Sequence, residues 1–355
     1  MSDEITLVVN NIKFAYWKSA NIRNGIEQIA GEFALTFADR WSKERESVPF
    51  SEGDECEVLV GDTLVIAGYI DDLETSISAT ETTDSLRGRD YTGDLVDCSA
   101  ENSPDEFKDI NLADLATKLC QPFGIKVIQD ADIGEKFPIF KLQHGETVFE
   151  ALDRAARMRG VLLTSAKDKG VFLTTPGVAK FTTPLVQGKN ILTARKLSSY
   201  ANRYSQYTVK GQQGGITLDK FKGDEKSTSG VALDTVIKRF RPLTILAENQ
   251  ANTDVAKKRA EWESTNRAAR SLSLSVTVQG WINSQGKLWL PNYLVDLEIP
   301  RLQIKAEMLI TSCNYSISES AGSTTILELR DKKSYTLQPE IKKDYKAESE
   351  EKLKL

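Results

Sequence analysis

Residues 271–279 alternate polar and apolar side chains without a fault, reading Ser-Leu-Ser-Leu-Ser-Val-Thr-Val-Gln. Successive side chains of a β-strand point to opposite faces, so a period of two predicts a strand with one buried face. The same period appears in residues 5–9 and 32–37, and turn residues such as Asn10-Asn11 and Gly61-Asp62 follow or separate short apolar runs. The chain is therefore predicted to be rich in β-strands.

Two helices are predicted in the middle of the chain, where the period changes. Asn111 can cap the first helix, and the apolar face of that helix comprises Leu112, Leu115, Ala116 and Leu119. Thr147 and Glu150 fit a capping box for the second helix, which Gly160 ends. Residues 161–174 then form a predicted hairpin around Asp-Lys-Gly. This region is predicted to be a compact α/β domain.

A third region returns to β-structure and contains one long helix. That helix runs from about Thr253 to Arg270 and carries Val255, Trp262 and Ala269 at helical spacing. Residues 222–230 are polar and predicted to be flexible. The tail after Tyr335 is dense in Lys and Glu, which predicts a solvated extension or a helix that needs a partner.

The domain boundaries follow from these changes of pattern. Residues 1–104 form the N-terminal β module, 105–180 the α/β domain, 181–335 a second β module with the long helix, and 336–355 a charged tail. The two β modules share a faint internal echo, because Ser318 follows Ser78 by 240 residues and Arg330 follows Arg89 by 241, in similar strand–turn–strand settings. Duplication and chance similarity of two Ser/Thr-rich hairpins both account for this echo.

The composition excludes some classes of function. Lys and Arg number 46 against 51 Asp and Glu, which gives a net charge of −5 that is spread along the chain and disfavours tight binding to nucleic-acid phosphates. The start of the sequence lacks the features of a signal peptide and no apolar run approaches about 20 residues. Folding in the cytoplasm, without stable membrane insertion, is expected. Four dispersed cysteines, predicted to be reduced, are Cys56, Cys98, Cys120 and Cys313.

Catalytic residues are not predicted. His144, the one histidine, lies in a turn before the second central helix, without a nucleophile motif beside it, so a turn or capping role is favoured over catalysis. The carboxylate pairs Asp71-Asp72 and Glu150/Asp153 resemble the acid pairs of glycoside hydrolases, but solvated surface acids explain them better in so acidic a chain. No metal site and no cofactor site are predicted.

Two further clusters favour structural roles. The basic run 257–259, with Arg267 and Arg270, shares its helix with Glu261 and Glu263, which favours a salt-bridged solvent face over a phosphate-binding face. The aromatic residues Trp262, Trp281, Trp289 and Tyr293 are interpreted as core or subunit interface rather than as a sugar-stacking platform.

Residues 145–152, Gly-Glu-Thr-Val-Phe-Glu-Ala-Leu, are similar to the opening of LysM peptidoglycan-binding modules. A LysM module requires a second helix soon afterwards, whereas a strand is predicted here after Gly160. A peptidoglycan-binding tail protein and a cell-wall hydrolase accessory are the alternative functions.

Motifs in order along nearly the whole chain resemble the baseplate hub proteins of Mu-like contractile-tailed phages, the tail protein P family. They are Gly68–Asp72, Gly88–Ala100, Gly145–Leu152, Arg203–Gln212, Arg239–Leu243, Arg259–Glu263, Gly280-Trp281, Leu288–Asn292 and Glu307–Ile310. The tail after about residue 336 matches no motif of the family.

The resemblance implies an α+β, β-rich fold with two β-barrel-like tube modules and the α/β domain placed between them, outside a ring. It implies a homotrimer, similar in plan to the hub of T-even phages and the N-terminal part of type VI secretion spike proteins. Its partners would be a tail spike protein, the tail tube or a tube-terminal baseplate protein and the tape-measure protein, with DNA only in transit. The protein would be a non-enzymatic part of the virion tail baseplate, assembled in the host cytoplasm.

Overall fold

The structure is a computed structural model that describes residues 4–39, 50–79, 82–101, 105–211, 228–246, 253–319 and 321–336. Its strands are β1 (Ile5–Val9), β2 (Ile12–Phe14), β3 (Ser19–Gly25), β4 (Glu32–Asp39), β5 (Glu55–Val60), β6 (Thr63–Ile77), β7 (Thr82–Asp90), β8 (Glu106–Ile110), β9 (Lys126–Gln129), β10 (Phe137–Lys141), β11 (Leu162–Ala166), β12 (Gly170–Thr174), β13 (Ala179–Lys180), β14 (Leu185–Val186), β15 (Thr193–Ser198), β16 (Gln206–Gly211), β17 (Thr228–Leu233), β18 (Pro242–Leu246), β19 (Leu272–Gln279), β20 (Tyr293–Ile299), β21 (Ile304–Ser318) and β22 (Gly322–Arg330). Its helices are α1 (Gly93–Asp97), α2 (Leu112–Cys120), α3 (Val148–Arg159) and α4 (Thr253–Arg270). The predicted β-rich α+β fold is confirmed.

The chain forms two compact units. Unit 1 contains residues 1–196 and 273–332, and unit 2 contains residues 197–272 and 333–355. The predicted four-part division of the chain stays a prediction. The charged tail lies outside the described residues except for Thr336, and so does most of the polar stretch 222–230.

One large sheet dominates unit 1. Its strand order is β15-β19-β22-β21-β3-β4-β7-β6-β5-β1-β2, and β13, β14 and β20 join it beside β21. The predicted strand at 271–279 is β19, which pairs with β22 and buries its alternate apolar side chains, Leu274, Val276 and Val278. Strands from the beginning and the end of the chain therefore lie in the same sheet, joined where β3 pairs with β21.

The α/β region of unit 1 is built from two small sheets and two helices. Strands β8 and β10 form an antiparallel pair, while β9 lies parallel to β12, which forms the predicted hairpin with β11. Asn111 caps α2, since its side chain accepts a hydrogen bond from the Asp114 amide at 2.7 Å. The capping box of α3 is present, with both reciprocal bonds between Thr147 and Glu150. Gly160, at φ 62°, ends α3 in the left-handed conformation, and β11 follows.

Unit 2 consists of a three-stranded sheet, β17-β16-β18, covered by α4. Gly230 allows the helix to approach β17, because a Cβ at that position would lie 2.1 Å from the backbone nitrogen of Lys257. The core contains Tyr207, Val209, Ala256 and Ala260. The helix has the predicted bounds, but its buried face comprises Ala256, Ala260, Glu263, Asn266 and Ala269.

That buried face corrects the sequence prediction for α4. Trp262 is half-buried, and its indole Nε1 donates to the carbonyl oxygen of Thr336 at 2.9 Å. Val255 is likewise half-buried. Alanines rather than the larger residues face the sheet because the close approach at Gly230 leaves little room between helix and strand.

Candidate functional site

The internal echo corresponds to two hairpins of the same construction. Strands β6 and β21 each have 15 residues, and β7 and β22, which follow them, each have nine. Both long strands carry an irregularity at the same place, between Ile70 and Asp72 in the first hairpin and between Ile310 and Ser312 in the second. A bulge re-aims a strand and changes its pairing, so two bulges 240 residues apart indicate duplicated modules rather than chance similarity.

The neighbours of the hairpins repeat as well. Strand β4 pairs with β7 as β19 pairs with β22, and β5 pairs with β6 as β20 pairs with β21. The amide of Lys18 donates to Thr36 O at 2.8 Å, and the amide of Leu192 donates to Thr277 O at 2.8 Å. Leu192 follows Lys18 by 174 residues and Thr277 follows Thr36 by 241, so β15 is the counterpart of β3.

The large sheet has one apolar and one polar face. Across β3, β4 and β21 the buried side chains form a ladder of Tyr315, Ile22 and Phe33, which are paired in register. On β3, β4, β7, β22 and residues 72–77 of β6, the alternate positions form a polar face. Its charged members are Arg23, Glu32, Asp72, Glu74, Arg87, Arg89, Glu328 and Arg330. Four arginines and four acidic residues balance these described strands, which therefore present no cationic patch for phosphates.

Arg89 is the most strongly held charge on this face. Its guanidinium binds Asp97 at 2.7 Å and Asp71 at 2.9 Å, and these bonds raise the pKa of Arg89 above its ordinary value. The neighbouring carboxylate of Asp90 is buried on the opposite side of β7 and accepts from the Gly31 amide at 2.8 Å and the Ser165 hydroxyl at 2.6 Å. Burial raises the pKa of Asp90. This carboxylate thus ties the N-terminal strands to β11 of the α/β region.

The residues considered for catalysis lie in a turn, in a helix cap or in ion pairs. His144 lies exposed in the turn before α3. Glu150 completes the capping box, Asp153 pairs with Arg157 at 2.7 Å, and Asp71 pairs with Arg89. Within the described ranges, no three His, Cys, Asp or Glu side chains lie close enough together to hold a metal ion.

Aromatic residues and thiols are mainly core components. Trp281 and Trp289 are 1% and 2% exposed, so the interpretation as core is confirmed for them. Phe181 stacks on Tyr293 with ring centroids 4.6 Å apart. The rings of Phe181, Trp281 and Tyr293 line a cavity of about 300 Å³ in unit 1 together with Lys167, and burial lowers the pKa of Lys167.

The predicted reduced cysteines have two environments. Cys56, Cys120 and Cys313 are buried, and burial raises the pKa of Cys56 and Cys120 to about 12. Cys98 is exposed, and all four thiols are free in the structure. A buried thiol remains protonated and unreactive at neutral pH.

Two arginines of α4, Arg259 and Arg267, form ion pairs with one buried acid, Glu263. Glu263 is 7% exposed and binds Arg259 and Arg267, each at 2.9 Å. Arg270 donates instead to the carbonyl oxygen of Ser334. The predicted salt bridges are confirmed for Arg259 and Arg267, whereas the prediction of a solvent face is wrong at Glu263.

Sequence reasoning missed the strands that complete the two modules, β3 and β15. Their sequences, Ser-Ala-Asn-Ile-Arg-Asn-Gly and Thr-Ala-Arg-Lys-Leu-Ser, are short and polar. The available signal was their position next to the predicted strands β4 and β19 in space, which a single sequence does not provide. None of the helices in the described residues is long and apolar enough to cross a membrane.

Family comparisons agree with this architecture. Residues 4–90 match the model "Mu phage baseplate assembly protein GpP-like, N-terminal", residues 92–175 match "Baseplate hub protein gp44-like, second domain", and residues 252–337 match "Mu phage baseplate assembly protein GpP, fourth domain". The baseplate hub protein gp44 of Escherichia phage Mu is 32% identical over 336 residues, which span 93% of this chain and 88% of gp44.

Solved structures extend the comparison. The 43 kDa tail protein of prophage MuSo2 from Shewanella oneidensis is 31% identical and has a TM-score of 0.84, with 95% of this chain and all of that chain covered. The E. coli c3393 protein, a type VI secretion component with structural similarity to the T4 tail proteins gp27 and gp5, shares the fold at 9% identity and a TM-score of 0.57, covering 94% of this chain and 79% of its own. The chain belongs to the baseplate hub protein family of Mu-like phages.

Proposed function

We propose that three copies of this chain form a ring that joins the tail tube to the spike of a contractile phage tail. The observation that carries the proposal is the pair of equivalent modules in one sheet, with matching strand lengths and bulges. Two similar modules per chain give a three-fold assembly six similar positions around its axis. Such a ring fits a six-fold tube on one side and a three-fold spike on the other.

The polar face of the large sheet supports a role as a conduit. We propose that it lines the channel through which the tape-measure protein and then DNA pass. Alternating arginines and acids along Arg23, Glu32 and Arg89 leave the face without a run of positive charge. Because retention of DNA depends on phosphate neutralisation by Lys and Arg, a balanced face lets DNA slide.

We also propose that the chain acts without catalysis and without a cofactor. Its binding energy would lie in protein–protein interfaces, with the spike, the tube-terminal protein and the tape-measure protein as partners. The acids and His144 that would serve a hydrolase are engaged in a helix cap, in ion pairs or in a turn. Assembly into the virion baseplate would take place in the host cytoplasm.

The test is a mass measurement in solution, by light scattering or native mass spectrometry, over a wide range of protein concentrations. The measurement is repeated with the spike protein of the same phage or prophage. A trimer, alone or with the spike, is the expected result. A chain that stays monomeric under every condition would refute the ring.

A matched assay addresses the alternative functions. The full-length protein is incubated with purified peptidoglycan, and both retention in the pellet and release of soluble muropeptides are measured. The helix α3 is followed by β11 rather than by the second helix of a LysM module, so we expect neither retention nor release. Release that is lost in Glu150→Gln would overturn the non-enzymatic assignment.

A further inference from the structure

One edge of β6 has no partner among the described strands in a place where its counterpart is paired. Among the described strands, residues 72–77 of β6 pair with β7 only, because β5 covers only residues 63–69. The equivalent residues 312–317 of β21 pair with β22 on one side and with β3 on the other. Ile77, near the end of this edge of β6, is 72% exposed.

The counterpart of β3 likewise has one edge without a partner in the part of the chain that the structure describes. Strand β3 lies between β4 and β21, whereas β15, its equivalent, has β19 as its one neighbour among the described strands. Leu197 in β15 is 56% exposed. Within the chain β3 pairs with β21. The equivalents of these two strands, β15 and residues 72–77 of β6, are not paired with each other in the chain. Exposed strand edges of this kind are templates for pairing with another chain.

We propose that β15 of one copy pairs antiparallel with residues 72–77 of β6 in the next copy, in the register that β3 adopts on β21. The proposal rests on the ring assembly above and identifies the two edges that form each contact between copies. In the chain, Ser19 lies opposite Ser318 and Gly25 opposite Ser312. Shifts of 174 residues for β3 and 240 for β21 place Ser199 opposite Asp72 at one end of the contact and Ala194 opposite Ile77 at the other.

One side-chain pair in this register repeats a pair that occurs within the chain. Ala20 lies opposite Ile317 within the chain, and the same shifts place Ala194 opposite Ile77, which repeats the residue pair. Pairing would cover the exposed Ile77. Side chains that lie directly opposite each other on neighbouring strands stabilise a sheet.

Charge selects this pairing over the symmetric ones. The β6 edge carries Asp72 and Glu74, while β15 carries Arg195 and Lys196. Arg195 would lie opposite Ser76 and diagonal to Glu74, on the same face of the sheet. Two β6 edges, or two β15 strands, would instead bring like charges together. The contact is thus heterologous, the type that generates rings.

The amide directions agree with the proposal. The Ser199 amide donates to Ser271 O at 2.8 Å, toward β19. Amides alternate along a strand, so within β15 those of Ala194, Lys196 and Ser198 point to the open edge. The Leu192 amide, which donates to Thr277 O, precedes the strand and lies outside this alternation. In the junction within the chain, the Ile26 amide, which follows β3, donates to Thr311 O at 2.8 Å. Its equivalent between copies is a bond from the Tyr200 amide to Asp71 O.

Disulfide trapping in the full-length chain tests the register. In a Cys98→Ser background, Ser76→Cys and Arg195→Cys place two thiols opposite each other in neighbouring copies, within the separation that a disulfide spans. On oxidation we expect covalent dimers and trimers on a non-reducing gel, with no larger species. The matched control, Ile77→Cys with Arg195→Cys, places the thiols on opposite faces and should not cross-link.

A second variant tests the contact without new thiols. Ala194→Pro removes an amide that points to the open edge and leaves the bonds to β19, so the fold should persist while the trimer dissociates at lower protein concentration. Circular dichroism checks the fold and light scattering the mass. A protein that is trimeric but neither cross-links at 76/195 nor responds to Ala194→Pro overturns the edge assignment while the ring stands. A protein that is monomeric with and without spike overturns both.

Discussion

The buried carboxylate of α4 gives the sharpest test of what stabilises unit 2. Glu263 is 7% exposed and binds Arg259 and Arg267, one turn before and one turn after it, each at 2.9 Å. Glu263→Gln keeps the shape of the side chain and removes its charge. Glu261, two residues earlier on the same helix, is exposed and provides the matched control Glu261→Gln.

Two limits set the expected magnitude. Exposed pairs one turn apart on a helix contribute about 0.2–0.5 kcal/mol each. Removal of one partner from a fully buried pair costs about 3–5 kcal/mol because the remaining charge stays desolvated. The arginine side chains here are 20% and 32% exposed, so water partly solvates them after the substitution. We therefore expect Glu263→Gln to destabilise α4 by about 2–3 kcal/mol.

Hydrogen–deuterium exchange measures this locally. Since about 1.4 kcal/mol corresponds to a tenfold change in an equilibrium constant, amides of peptides within residues 253–270 should exchange roughly 30- to 150-fold faster in Glu263→Gln. Glu261→Gln should change the exchange rate by less than about threefold, as a surface substitution costs under about 0.5 kcal/mol. Equal exchange in the two variants would refute the argument from burial.

Three other outcomes follow from burial in the structure. Trp281→Ala should lower the free energy of unfolding by about 3–5 kcal/mol in urea denaturation, while Trp262→Ala, at a half-buried position, should cost clearly less; equal losses would contradict this ranking. Gly88→Ala should destabilise unit 1 by at least about 1–3 kcal/mol, because its Cβ would lie 2.1 Å from the backbone oxygen of Tyr69, and an unchanged melting temperature would argue against that close approach. A thiol reagent at neutral pH should modify Cys98 alone in the native protein and all four cysteines after unfolding, so rapid native labelling of a second thiol would contradict the burial of the others.

Local signals in the sequence predict the elements whose own residues determine them. The faultless alternation before Gly280 predicts β19, and the capping pair Thr147 and Glu150 predicts the start of α3. Trp262 shows where such reasoning fails, because helical spacing alone does not indicate which face of α4 meets the sheet. That face is decided by Gly230, which lies in a different strand and is close only in space.

The two equivalent strands β3 and β15 are the ones that the sequence predicts least well. Strand β3 contains Asn21, Asn24 and Gly25, residues with low β propensity, and it is extended because β4 and β21 pair with both of its edges. Among the described strands, β15 has one such neighbour, β19. A polar strand of this kind has little local signal, since its pairing partners lie elsewhere in the chain or, for the open edge of β15, in the proposed neighbouring copy.

In the proposed ring, the junction within a chain and the contact between copies differ in the charges on their paired strands. Residues 312–318 of β21 contain no acid, and β3 needs none opposite it because the two strands belong to one chain and meet at high effective concentration. Residues 72–77 of β6 contain Asp72 and Glu74, and the strand proposed to face them carries Arg195 and Lys196. Charge adds orientation and partner selectivity to an encounter between separate molecules. The junction within the chain thus carries one charge, Arg23 of β3, opposite the uncharged Asn314 of β21, whereas the two open edges carry charges of opposite sign. This asymmetry suits a closed ring of separate chains, in which only the contacts between copies need charge to select their partner.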